Sequence, residues 1–333
     1  MNLMKSILVF SNGEKIGDGI IKLPLLNELK RRLPNYKLYW MTDQGNTVYT
    51  STLKKIASSY IYTCFEKANL NFFFSRKISN KFDLEKEYFD IIFDTQKSVF
   101  RTLTLKRIKH KTFISGTASG IFSDIKLPKE IKNKRKYYLE NLYDLLDLIV
   151  NMKLDNDFSL PLNENVEESL KKILKPNQDY VGIAPGAGEK NKVWPIENYI
   201  EISRYLETKG CKLVFYLGPN EKEYEEVLKC HFQKAIFLEN ELLLSNYSNI
   251  EIIMTSTKFL KFAISNDSGV SHMLSTNHCP LIKLFGPKDA KKFTPKIKNL
   301  ITISSSEVNS DRIEDIQVSR VIKTIEDMEF VNV

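Results

Sequence analysis

Histidine and cysteine are scarce in this chain of 333 residues, with four of each. Cys64, Cys211, Cys230 and Cys279 are scattered and show no C-x-x-C spacing. That pattern argues against both a disulfide framework and a zinc site, and leaves small packed hydrophobes as the expected role. His110, His231, His272 and His278 form no H-E-x-x-H arrangement, so no protein-held catalytic metal is expected. Long apolar runs are missing too. Those at residues 7–10 and 214–217 fall far short of the roughly 20 residues a membrane span needs. The apolar stretch at the amino terminus is too short for the core of a signal peptide. These absences lead us to expect a cytoplasmic protein, without internal repeats or low-complexity segments.

What is present fits a folded chain of two domains. Hydrophobic residues make up 42% and charged residues 27%, the range of ordinary globular proteins, and the length suits two domains better than one. The charge is unevenly placed. Residues 1–150 hold 26 Lys and Arg against 15 Asp and Glu, a net +11, whereas residues 151–333 hold 23 against 26, a net −3. A lysine-rich proteome would raise both halves alike, so the first half is expected to meet an anionic partner. Nucleic acid is not expected as that partner, because aromatics are thin around the basic runs at 106–111 and 132–136 and no nucleic-acid-binding signature appears.

Strand and helix patterns alternate in both halves. Strands are expected at 5–11, 37–41, 91–94 and 112–114, with helices at 19–33, 98–106 and 137–152. A polar stretch containing Pro161 and a short helix reads as an interdomain segment. The second half shows strands at 180–184, 212–217, 262–265 and 281–285, each followed by a turn and a helix or loop. A last helix is expected over 313–328. The organisation expected is therefore α/β, with a doubly wound Rossmann-like domain at 1–155, a linker at 156–178, a second such domain at 179–312, and a terminal helix from 313 to 333 packing across a domain. In such folds ligands sit at the carboxyl ends of the strands.

Four segments just after predicted strands carry candidate chemistry. In the first, Gly17 and Gly19 flank Asp18, which reads either as a helix N-cap or as a general base for a hydroxyl. The second runs Pro185-Gly186-Ala187-Gly188-Glu189-Lys190-Asn191-Lys192-Val193-Trp194-Pro195. Its glycines admit close approach of a ligand, and Lys190 or Lys192 can neutralise phosphate. It lacks the spacing of a P-loop or of G-x-G-x-x-G. The third, Asn266-Asp267-Ser268-Gly269-Val270-Ser271-His272, is a polar turn opening a helix, suited to a diphosphate. There Asp267 is expected to orient the loop or meet a sugar hydroxyl, and His272 is either a satisfied buried residue or a further ligand contact. The fourth is Phe285-Gly286-Pro287.

Together, in this order, the segments resemble the ADP-heptose:lipopolysaccharide heptosyltransferases of glycosyltransferase family 9. Gly17-Asp18 with Pro24 looks like the family's amino-terminal signature, and Lys192-Val193-Trp194-Pro195 like its K-x-W-P loop. Asp267-Ser268-Gly269-Val270-Ser271-His272 looks like its D-[ST]-G-x-x-H motif, followed by Leu284-Phe285-Gly286-Pro287. The resemblance implies a GT-B fold, two doubly wound domains facing across a cleft, and inverting, metal-independent transfer of a sugar from an ADP-heptose-type donor. It further implies no other cofactor and an anionic glycolipid acceptor in lipopolysaccharide-type assembly, met at the cytoplasmic face of the inner membrane. By similarity Asp18 would be the base and Lys192 would meet charge on the leaving diphosphate. Gly186, Asp267, Ser268, Gly269 and His272 would contact the donor, and Glu221 would bond its ribose. Gly17, with Arg101 and Arg107 from the basic first half, is expected on the acceptor side, guanidinium being the best partner for a carboxylate. The helix after His272 departs from the family's alanine-rich pattern. Other GT-B enzymes, including nucleotide-sugar epimerases, transferases of other nucleotide sugars and inactive relatives, form the alternative reading. Acceptor dependence of nucleotide release separates an epimerase from a transferase.

Overall fold

The computed structural model describes residues 4–128, 138–151, 160, 162–218, 221–286, 290 and 299–331, and the chain divides into two compact units, Met1–Asp157 and Phe158–Val333. In the first unit the elements run β1 (Lys5–Ser11), α1 (Ile16–Arg32), β2 (Tyr36–Thr42), α2 (Lys54–Ala57), β3 (Thr63–Phe65), β4 (Tyr88–Asp94), α3 (Val99–Leu105), β5 (Lys109–Ser115) and α4 (Tyr138–Val150). The strands lie in the order β3-β2-β1-β4-β5, every pair parallel. Ile7, Leu8, Val9 and Phe10 are all buried, as a strand covered on both faces requires. Successive side chains of a strand point to opposite faces, so helices must pack on each side, and α1 supplies Ile20, Leu23, Leu26 and Leu29 to one of them.

The order reverses between β1 and β4, so this unit's ligand-facing edge is formed by the chain leaving those two strands. The turn after β1 is held by Gly13, whose φ of +126° is strained for any other residue. A Cβ there would stand 2.7 Å from the Cα of Gly45 in the turn after β2, so the two turns lie back to back. The amide of Glu14 donates to Asn46 O (3.0 Å) and that of Gly45 to Asn12 O (3.0 Å), fixing the approach to α1.

The second unit contains α5 (Glu164–Ile173), β6 (Tyr180–Ala184), α6 (Ile196–Thr208), β7 (Lys212–Phe215), α7 (Lys222–His231), β8 (Ile236–Phe237), α8 (Asn249–Ser256), β9 (Leu260–Asn266), α9 (Gly269–Leu274), β10 (Leu281–Phe285), β11 (Leu300–Ser304) and α10 (Val318–Val331). Its parallel sheet has the order β11-β10-β9-β6-β7-β8. Counted within the unit this is the doubly wound dinucleotide-fold order, with its switch point between β6 and β9. One side of the sheet packs Trp194, Tyr199, Phe215, Phe232, Val321 and Ile325, the other Val166, Leu170, Tyr216, Leu260 and Leu281. Two doubly wound α/β units are thus the observed class.

Several boundaries differ from expectation. Helix α1 starts at Ile16, so Asp18 lies in its first turn and Lys15 is its N-cap, without a side-chain cap. Within the stretch read as a linker, α5 is capped by the Asn163 side chain and buries Val166 and Leu170 in the second unit. The terminal helix starts at Val318, whereas Ile313 belongs to a preceding short 3-10 turn over Ile313–Asp315. Residues 132, 134, 135 and 136 of the second basic run lie outside the described residues, as does Pro287. Among the described residues no helix is long and apolar enough to cross a membrane.

Candidate active site

A dense polar cluster stands at the switch point of the second unit. Strand β9 ends in Asn266, whose buried side chain ties together both ends of the loop between β6 and α6 and the first turns of α6 itself. Its Oδ1 accepts from the Trp194 amide (3.2 Å) and the Tyr199 hydroxyl (2.8 Å), and its Nδ2 donates to Pro185 O (2.6 Å). Trp194 is fully buried, meets Tyr199 edge to face at 5.1 Å, and donates its indole N–H to Ile316 O (2.9 Å). The tryptophan of the K-x-W-P segment is therefore an anchor. It fixes the loop from which Lys192 reaches back to the strand ends.

Asp267 follows at once and is held by two lysines. Lys283 Nζ stands 2.8 Å from its Oδ1 and Lys192 Nζ 3.7 Å from its Oδ2, while Lys192 also pairs with Glu189 at 3.0 Å. Lys283 projects from the middle of the buried strand β10, and burial holds its pKa below the ordinary value even though Asp267 pulls the other way. His272 is partly buried one turn into α9. Burial, then the charges of Lys283 and Lys192, push its pKa well below the usual imidazole value, so at neutral pH it is an uncharged ring. The turn opening α9 is a capping box in which Ser268 and Ser271 satisfy each other's amides. That leaves the Gly269 and Val270 amides, rather than that of Ser268, as first-turn donors for a ligand.

Glu221 closes the other side of this edge. A Cβ on Gly186 would lie 2.4 Å from the Glu221 Cδ, and one on Gly218 would lie 2.4 Å from its Oε2. The carboxylate occupies the notch that two missing side chains leave, and burial raises its pKa. Gly186, Lys192, Glu221, Asp267, Gly269 and His272 thus come from the chain leaving β6, β7 and β9, all at one end of one sheet.

In the first unit Asp18 is exposed, in the first turn of α1, beside the half-buried Gly17. Beneath it lies a buried pair: Lys22 Nζ is 3.0 Å from Glu14 Oε1 and 2.9 Å from Ser11 Oγ. The Tyr49 hydroxyl donates to Gly19 O at 2.8 Å, and burial followed by the negative charge of Glu14 raises its pKa well above the phenol value. A cavity of about 250 Å³ opens on the same edge, lined among others by Asp94, Gln96, Lys97, Ser119, Tyr138 and Asn141. The Tyr138 ring also lies 5.9 Å from Lys22 Nζ, which ties the cavity to α1. Asp94 at its floor accepts from Thr102 (2.6 Å), Ser115 (2.8 Å) and the Gln96 amide (2.9 Å), while burial raises its pKa.

The two arginines expected on the acceptor side are committed elsewhere. Arg101 pairs with Asp43 at 2.7 Å and donates to Leu70 O. Arg107 donates to Phe73 O and Arg76 O, both at 3.1 Å. Arg107 and the exposed Lys109 and Lys111 also sit at the amino end of β5, opposite the ligand-facing edge, and Lys106 is paired with Asp124 at 2.8 Å. Lys22, Glu14, Lys97 and Lys283 were not singled out from the sequence. The signal that finds two of them is a lone lysine inside an apolar run, at Ile21-Lys22-Leu23 and Ile282-Lys283-Leu284, where burial demands a partner.

Known proteins resemble this chain in sequence and in fold. The chain is 23% identical over 286 residues to lipooligosaccharide heptosyltransferase 2 of Campylobacter jejuni, covering 84% of this chain and 81% of that protein. It is 26% identical over 159 residues to lipopolysaccharide heptosyltransferase 1 of Campylobacter coli, a match spanning 46% of that protein, less than half its length. The structure of E. coli heptosyltransferase WaaC with ADP-2-deoxy-2-fluoro heptose superposes with a TM-score of 0.66 at 18% identity, over 97% of this chain and 99% of that one, a likeness of fold. The family model described as glycosyltransferase family 9 (heptosyltransferase) matches residues 79–319. Spanned over well more than half its length by that model, the chain belongs to glycosyltransferase family 9, the heptosyltransferase family.

Proposed function

We propose that this glycosyltransferase moves a heptose from an ADP-heptose-type donor to an anionic sugar of a lipopolysaccharide-type core, with inversion and without a metal or other cofactor. The observation that carries the reading is the cluster at the second switch point, where two lysines converge on Asp267 beside α9 and Glu221 stands in a glycine notch. Glu221 has the geometry to accept from ribose hydroxyls. Lys192, held by Glu189 and Asp267, can turn to the diphosphate, with the Gly269 and Val270 amides behind it. Ser268 orients that turn. His272, uncharged, can donate or accept one hydrogen bond without adding charge.

In the proposed step the Asp18 carboxylate takes the proton of an acceptor hydroxyl. That oxygen forms a bond to the anomeric carbon as the bond from this carbon to the β-phosphate oxygen breaks. ADP leaves with the bonding pair, and Lys192 offsets the developing charge. Exposure of Asp18 at the ligand-facing edge of the first unit supports this role. The acceptor's anionic group is assigned to the cavity beside α1, where Lys97 offers a cation and Gln96 and Asn141 offer amides. Arg101 and Arg107 are not assigned to it. A sugar of lipopolysaccharide type would be met at the cytoplasmic face of a membrane.

Thermal stabilisation by nucleotide sugars tests the donor side. ADP-heptose should raise the melting temperature more than UDP- or GDP-sugars at equal concentration. Equal shifts from all three, or a preference for UDP-sugars, would overturn the donor assignment. Release of ADP from ADP-heptose that proceeds equally fast without any acceptor would favour hydrolysis or epimerisation over transfer.

A further inference from the structure

The loop following β3 carries three consecutive phenylalanines, of which Phe72 and Phe74 are exposed and Phe73 is half-buried. Phe74 is 77% exposed, Phe72 is 49%, and Phe100, at the start of α3, is 58%. Their rings form one cluster, with centroids of Phe72 and Phe100 5.4 Å apart and of Phe72 and Phe74 5.2 Å apart. Contiguous exposed aromatics without a polar tip are unfavourable in water and mark a surface that something covers.

The loop is fastened outward. Arg101 donates to Leu70 O, Thr104 Oγ1 to Asn71 O (3.1 Å), and Arg107 to Phe73 O and Arg76 O. The Asn71 amide donates to Ile78 O and the Ser75 amide to Phe72 O, which closes the tip into a turn. Four side-chain bonds from α3 and the turn after it therefore hold the phenylalanines away from the core.

The chain carrying the patch is basic, although Asp43 pairs with Arg101, Asp124 with Lys106, and Glu85 accepts from the Ile78 amide. No Asp or Glu occurs from residue 67 to 82 or from 95 to 123, stretches that hold four and six Lys and Arg. Arg76 and Lys77 are exposed at the tip itself. We infer that the Phe72–Phe74 loop with Phe100 inserts into the headgroup region of an anionic lipid bilayer, with Arg76 and Lys77 on the lipid phosphates. A protruding apolar tip flanked by two exposed cations suits a deformable anionic surface, because a bilayer needs no groove to receive Phe74. The inference uses none of the residues of the proposed reaction, and it stands whether or not that reaction does.

Flotation of the full chain with vesicles tests it. Vesicles of phosphatidylcholine with about a third phosphatidylglycerol should carry the protein at low salt, and pure phosphatidylcholine vesicles much less. Adding salt should weaken the first interaction. Replacing all three residues (F72S, F74S and F100S) should lower the affinity at least about tenfold, because apolar insertion is lost. R76Q with K77Q should lower binding to the anionic vesicles about fivefold or more and leave binding to neutral ones unchanged. All five side chains lie at the surface, and F74S alone, the most exposed, should already weaken flotation. Three results would overturn the inference: a wild-type protein that floats with neither vesicle, triple and single variants that float like wild type, or a patch whose loss converts a dimer to monomers without changing flotation.

Discussion

Lys283 Nζ and Asp267 Oδ1 stand 2.8 Å apart, with only 2% of the lysine side chain exposed. The pair joins the middle of β10 to the residue that opens the α9 turn. Burying an ammonium is costly unless its partner is close, and removing one partner leaves the other charge uncompensated. Lys283→Met should cost about 3 kcal/mol, the low end for a broken buried pair, since Lys192 still faces the other Asp267 oxygen. Urea unfolding reads this directly. A loss below about 0.5 kcal/mol, the size of a surface effect, would mean that the pair is not held as described.

Gly186→Ala probes the notch around Glu221. The added methyl meets the end of a flexible side chain, so the fold should tolerate it while the carboxylate is displaced. ADP should bind about tenfold more weakly, as when one charge-assisted hydrogen bond is lost, with the melting temperature within a few degrees of wild type. Calorimetric titration with ADP would contradict the ribose assignment by giving an unchanged Kd.

Lys22→Met removes the partner of a buried carboxylate whose other oxygen, Glu14 Oε2, already lacks one. It should destabilise the protein by about 3–5 kcal/mol. Replacing both residues with apolar ones should recover most of that loss, because no charge is then left buried. A double variant as unstable as the single one would show that the charge pair is not the source of the cost.

His272 sets a pH dependence. Its folded pKa lies well below that of an unfolded imidazole, about 6.5, so between the two values the unfolded chain binds a proton that the folded one does not. The contribution is complete above about pH 6.5 and shrinks as pH falls through that window, by at most about 1.4 kcal/mol per pH unit. His272→Gln should flatten this part of the stability profile. An NMR titration in which the His272 ring shows a midpoint at or above the unfolded value would contradict the burial argument.

Much of this architecture could be read from residue patterns, and the reasons differ by element. Strands such as Lys5–Ser11, Tyr180–Ala184 and Leu281–Phe285 are continuous apolar runs ended by turn residues, a signal that survives any packing. Short or edge elements leave little trace: β8 is two residues long, and β3 carries Thr63 and Cys64 on a half-exposed edge. The start of α1 at Ile16 leaves no mark in the sequence, because Lys15 offers no capping side chain. At the site, motif residues could be found because glycine, aspartate and lysine cluster after strands. What a linear pattern does not show is where a long side chain is spent. Arg101 and Arg107 read as partners for an acceptor carboxylate, yet their donors go to Asp43 and to carbonyls of the loop that carries Phe72–Phe74. The cavity lined by Gln96 and Lys97 depends on α4 lying over β4 and β5, a contact distant in sequence.

Asp18 carries the central claim. In the first turn of α1 it is not the N-cap, and its charge there is worth about 0.3–1 kcal/mol to the helix through the dipole. Asp18→Asn keeps the size of the side chain and one acceptor oxygen, and removes the charge and with it the capacity to take a proton, at a cost to the helix no larger than that dipole contribution. Turnover of heptose from ADP-heptose to a soluble anionic acceptor sugar, measured beside ADP affinity, separates the two roles. The account predicts a loss of turnover of at least about 10²-fold with ADP affinity and melting temperature close to wild type. A variant that turns over within a few-fold of wild type would contradict it.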